Sequence, residues 1–122
     1  DATINPNVFI DEGTLVVSGS TINTGTKIGK HCVINTSCSI DHDNKFSDFS
    51  SAGPGVITGG NVEVGYQSYL GLGSLARHNV KIFDNTIVGF GSLVNKDCKK
   101  NSIYWGSPAK KIRKRKNNEK YF

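Results

Sequence analysis

The chain has 122 residues, 36% of them apolar, with a net charge of +5, which supports one domain with a modest core. No apolar run approaches the roughly 18 residues a membrane-spanning helix needs, no signal-peptide pattern opens the chain, and a start at Asp1 with no Met reads as a piece of a longer protein. Residues 109–122 carry seven Lys or Arg and one acid, a net +6, while the other 108 carry eight basic and nine acidic residues, a net −1; a near-neutral body lacks the basic face of a nucleic-acid-binding fold.

From Ile4 onward every sixth residue is aliphatic, small or, once, aromatic: Ile4, Ile10, Val16, Ile22, Ile28, Ile34, Ile40, Phe46, Ala52, Thr58, Val64, Leu70, Ala76, Ile82, Val88 and Val94. Twelve of these sixteen are Ile, Val or Leu, and the residue four positions after each is small in every hexad but one. Such a period of six is not helical, because apolar partners at i+3 and i+4 are missing. It fits short strands joined by tight corners at which Gly, Asn and Asp supply positive φ. Three strands close a triangular coil of 18 residues, and coils stack at the sheet spacing of about 4.8 Å. Sixteen hexads therefore predict an all-β parallel β-helix of about five coils over residues 1–99, followed by an extension and basic tail over 100–122. All three cysteines, Cys32, Cys38 and Cys98, fall on the small inward position and on three different faces. They read as free core thiols, which fits a reducing, cytoplasmic compartment.

One hexad breaks the pattern. In Ile40-Asp41-His42-Asp43-Asn44-Lys45, Asn44 takes the small inward slot and His42 stands third, away from the core. Broken local rules mark functional sites. A carboxylate on one ring nitrogen of a His fixes the tautomer and raises the basicity of the other, which makes a general base. Eighteen residues on, Gly60 stacks over His42, and a bare backbone N–H beside a base suits a developing oxyanion, pointing to acyl transfer. His78 lies two coils, or about 10 Å, from His42, too far to share a metal ion within one chain, and His31 is on another face. Zinc-dependent carbonic anhydrases of this repeat type need a further His where this chain has Phe83, so no metal is expected.

Over nearly its whole length the chain resembles bacterial sugar acetyltransferases of the NeuD/PglD type, within the left-handed hexapeptide-repeat superfamily. The resemblance is carried by His42-Asp43, Pro54-Gly55, the run Gly60-Asn61-Val62-Glu63-Val64-Gly65, Leu70-Gly71-Leu72-Gly73-Ser74, residues 87–94, and Trp105-Gly106-Ser107-Pro108-Ala109-Lys110. It implies a left-handed coil, a homotrimer, and acetyl-CoA in the groove between subunits. His42 would deprotonate the acceptor, Asp43 would raise its basicity, and the Gly60 N–H would hold the oxyanion. Ser51 stands near the cofactor where relatives carry a second His. Leu72 and Phe90, again 18 apart, would line the pantetheine groove, and Pro108 and the basic segment from Lys110 would meet the cofactor's phosphates. With no exposed nucleophile motif, direct attack by the acceptor is expected rather than an acyl-enzyme. The implied acceptor is an amino sugar, specifically a nucleotide-linked 4-amino sugar; the alternatives are a sialic-acid-type O-acetyltransferase or a non-catalytic trimeric β-helix scaffold. The family's usual N-terminal sugar-nucleotide domain has no counterpart in this chain. No nucleic-acid partner and no membrane insertion are expected.

Overall fold

A computed structural model describes residues 1–116, 119 and 120; the end of the expected basic tail, at 117, 118, 121 and 122, lies outside the described residues. The six-residue period becomes sixteen two-residue strands in chain order. The first sheet stacks β1 (Thr3–Ile4), β4 (Thr21–Ile22), β7 (Ser39–Ile40), β10 (Ile57–Thr58), β13 (Leu75–Ala76) and β16 (Leu93–Val94). The second stacks β2 (Phe9–Ile10), β5 (Lys27–Ile28), β8 (Lys45–Phe46), β11 (Glu63–Val64) and β14 (Lys81–Ile82). The third holds β3 (Leu15–Val16), β6 (Val33–Ile34), β9 (Ser51–Ala52), β12 (Tyr69–Leu70) and β15 (Ile87–Val88), continued by β17 (Ser102–Gly106) and β18 (Ala109–Lys114). Each of the sixteen short strands pairs in parallel with strands 18 residues away, as in Ile22↔Ile40 and Ile28↔Phe46.

Corners make this possible. From Asn7 to Gly91 every sixth residue has φ between 52° and 78°, the left-handed region that turns the chain sharply. The inward residue of each strand fills one continuous column. Phe46 is its largest fully buried side chain and sits between Ile28 and Val64 in the second sheet. The next two inward residues, Ala52 and Thr58, are small, so the bulk of the ring is offset within its own coil. Phe46→Ala leaves a cavity that two-residue strands cannot collapse around; about 3–5 kcal/mol of stability is lost, read from the midpoint of denaturant unfolding.

The C-terminal part is more ordered than a tail. β17 adds a rung beyond the five coils of hexads, pairing in parallel with β15, and β18 folds back antiparallel on β17 across a cis Ser107–Pro108 bond. Tyr104 is thereby buried against the end of the column, with its hydroxyl accepting the Lys99 N–H at 2.9 Å. Arg113 and Glu119 form an exposed ion pair at 2.6 Å that holds the Glu119 carboxyl at about 2.

Candidate active site

Three edges run along the prism. Residues 41–44, 59–62 and 77–80 form the edge between the first and second sheets, and the candidate base is there. His42 Nδ1 lies 2.9 Å from Asp43 Oδ2. Asp43 is one of the positive-φ corner residues, at 54°, and this turn folds its carboxylate back toward the ring. Hydrogen bonding to Asp43 raises the His42 pKa above the ordinary imidazole value; slight desolvation opposes this, and the charges of Asp41 and Asp43 add to it. With Nδ1–H donated to Asp43, the lone pair of Nε2 is free to take a proton.

The ring rests on Gly60: a Cβ built there would collide with Nε2. On the preceding coil, a Cβ at Gly25 would collide with the Asp43 carboxylate. Glycines one coil to either side thus make room for the pair. Gly25 is a residue the sequence reading missed, although the 18-residue offset that singled out Gly60 also picks it out. Neighbouring corners explain why the Gly60 N–H matters. At equivalent positions the Thr24, Thr36 and His42 N–H groups donate to the Oδ1 of the preceding Asn23, Asn35 and Asp41, at 2.8–2.9 Å. The Tyr66 N–H is held instead by Asp84 one coil on, at 2.9 Å. Gly60 is preceded by Gly59 and followed one coil on by His78, so neither supplies a carboxylate or amide. Its N–H has no partner among the described residues.

Asn44, the breach of the small-residue rule, ties these coils together. Fully buried, it donates from Nδ2 to Gly59 O at 2.9 Å and to His42 O at 3.2 Å, while its Oδ1 is left unpaired. Thr58, a hydroxyl at an inward strand position, accepts the Asp41 N–H on Oγ1 at 3.2 Å. Asn44 and Thr58 therefore both hold backbone around His42.

The remaining expected site residues fall elsewhere. Leu72 and Phe90 project from the edge between the third and first sheets, 56% and 65% exposed, and line a groove of about 160 Å³ with Tyr69 and Trp105. Trp105, unassigned in the sequence reading, lies on Gly89 and meets Phe90 edge-on at 4.6 Å. Lys110 is directly across the hairpin from Trp105, and Pro108 is in the turn. Ser51 is buried on the third sheet between Val33 and Tyr69, on neither edge. Within one chain, then, the His42 edge and the Leu72–Phe90 groove are separated by the first sheet. Burial pushes the Cys38 thiol up, and burial with the Asp97 charge pushes Cys98 up to about 12, so neither is a thiolate nucleophile at neutral pH. Among the described residues no group of three His, Cys, Asp or Glu is arranged to hold a metal ion, and no helix is long and apolar enough to cross a membrane.

No protein-family model matches the chain. Its fold is similar to that of the acetyltransferase domain of PglB from Neisseria gonorrhoeae, with a TM-score of 0.91 and 27% identity over 92% of this chain and 55% of that one. It is also similar to PerB from Caulobacter crescentus, solved with CoA and GDP-perosamine, with a TM-score of 0.89 and 35% identity over 90% of this chain and 53% of that one. In sequence it is similar to serine acetyltransferase 2 of Arabidopsis thaliana, 35% identical over 111 residues, which are 90% of this chain and 32% of that protein. The chain spans about half the length of those two solved structures and about a third of that relative. The fold is a left-handed parallel β-helix. Over about nine tenths of its own length the chain is thus similar to acetyltransferases built on the hexapeptide-repeat β-helix.

Proposed function

We propose that this chain is the catalytic β-helix of an acetyl-CoA-dependent acetyltransferase that modifies the amine of a nucleotide-linked 4-amino sugar. The observation that carries the proposal is the Nε2 face of His42 against Gly60, whose N–H is unpartnered, with Nδ1 held by Asp43. Acetyl-CoA supplies the acetyl group as a thioester. His42 Nε2 takes the proton from the acceptor amine as its nitrogen attacks the thioester carbonyl. The Gly60 N–H donates to the oxygen that becomes negative, and the protonated imidazole returns the proton to the departing sulfur. Asp43 keeps Nδ1 protonated throughout and stabilises the transient imidazolium. No side chain is acylated, in keeping with the burial of all three thiols. The PerB complex with CoA and GDP-perosamine supports the same pair of substrates here.

The separation of the two edges supports a homotrimer in which the Leu72–Phe90–Trp105 groove of one copy faces the His42 edge of the next. The outward row of the first sheet fits such an interface, since Ile57 and Leu75 are 49% and 42% exposed. Calorimetric titration with CoA, with mass measured by light scattering, tests the proposal. About one CoA per chain in a trimer is expected. A folded protein with no affinity for CoA overturns it in favour of the scaffold alternative.

A further inference from the structure

The outward column of the second sheet sets two like charges directly side by side. Its register runs Phe9, Lys27, Lys45, Glu63, Lys81. Glu63 and Lys81 pair at 3.8 Å. Lys27 and Lys45 are instead direct cross-strand neighbours at the sheet spacing of about 4.8 Å, and neither has an ion-pair partner among the described residues. Like charges directly opposite destabilise a sheet, so an anion bridging the two ammonium groups relieves a strain built into the face.

Two open concavities share these lysines. One, of about 460 Å³, is polar; it includes Glu63, which faces Lys45 on one side and pairs with Lys81 on the other, and reaches the His42 edge through Asp43, Asn61 and Gly25. The other, of about 370 Å³, continues away from that edge and is lined by Phe9 and Tyr66, 58% and 45% exposed. From Asp43 to Asp48 the chain spans at most about 17 Å, with Lys45 near the middle. Across the face the order is therefore the His42–Asp43 edge, the two cations, then Tyr66 beside Asp48, while Phe9 stands one rung below Lys27 in the lysine column itself.

We infer that this face binds a nucleoside diphosphate group: the diphosphate on Lys27 and Lys45, the base against Phe9 and Tyr66, and the attached sugar at the Asp43 edge. Lysine ammonium groups bind phosphate oxygens by charge-assisted hydrogen bonds, and aromatic faces stack bases with little regard to their identity. Resting on the acetyltransferase proposal, this gives the β-helix its own acceptor site. The chemistry has two sources, the nucleotide-sugar acceptor and the adenosine diphosphate half of CoA. The structure favours the acceptor, because Lys110, expected to meet the phosphates of CoA, lies across the hairpin from Trp105 at the pantetheine groove and not on this face.

The test is calorimetric titration of the full chain with UDP, with GDP and with CoA, repeated on the Lys27→Glu/Lys45→Glu double variant and on Lys30→Glu. All three substituted lysines are exposed, and Lys30 lines neither concavity. UDP or GDP is expected to bind the parent chain, to weaken by about tenfold or more in the double variant, and to be unchanged in Lys30→Glu, with CoA affinity constant throughout. Failure of both nucleotides to bind, or binding indifferent to the double variant, overturns the inference and leaves the acetyltransferase proposal standing. Loss of CoA binding in the double variant reassigns the face to CoA and overturns the acceptor site. If UDP or GDP binds through the lysines but CoA does not bind at all, the face is kept and the acetyltransferase proposal falls.

Discussion

Alanine at His42 is expected to lower turnover by about 10²–10⁴ while leaving CoA affinity and the unfolding midpoint unchanged. The side chain is about half exposed and projects from a corner, so its removal opens no core cavity. The pH profile separates a base from a bystander. Turnover needs neutral Nε2, and Asp43 raises the pKa of the ring, so activity falls as pH drops through that raised value. In Asp43→Asn the carboxylate that holds the pKa up is gone; the acid limb moves to lower pH and the plateau falls, because the amide stabilises the imidazolium less. An acid limb that stays in place in Asp43→Asn, or full turnover in His42→Ala, sinks the mechanism.

The second large effect comes from one methyl group. Gly60 is outside the positive-φ region, so alanine fits its backbone, but the new Cβ collides with His42 Nε2. The exposed ring yields more readily than the coil does. It swings away, which displaces the base and strains its bond to Asp43. A misplacement of about 1 Å costs about 10² in rate, so Gly60→Ala is expected to lose turnover on that order with stability nearly unchanged. The readout is kcat beside a denaturant melt. Undiminished kcat would show that the imidazole does not work against this glycine. The comparison is informative at Gly25 as well, where φ is 78° and alanine is strained in the backbone besides meeting the Asp43 carboxylate; there stability falls along with rate.

Much of this was legible in the residues because the fold is nearly one-dimensional. In a solenoid each coil contacts only its neighbours, so an offset of 18 in sequence is a contact in space. That offset sets Gly60 over His42, and Leu72 beside Phe90, from the residues alone. The same arithmetic located the breach at Asn44, but not its purpose, nor that of Thr58. Which backbone groups they hold depends on side-chain direction inside the column, and the spacing does not encode that.

Where the period stops, sequence reasoning stops with it. Trp105 follows the hexads by an irregular step, so no multiple of 18 pointed to Gly89 beneath it. The basic segment read as a tail because its composition is that of a solvated terminus, yet residues 109–114 complete a hairpin on the third sheet. Lys27 and Lys45 were in plain sight as charged positions; only stacked coils show that they face each other between two concavities without an acid between them. The sequence by itself determined the coil, its core and the His42–Gly60 contact, since repetition converts spacing into distance. The tertiary structure alone decided that His42 and the candidate cofactor groove lie on different edges, and that a charged face runs from the His42 edge toward Tyr66. Those relations run around the prism, where packing rather than period sets what meets.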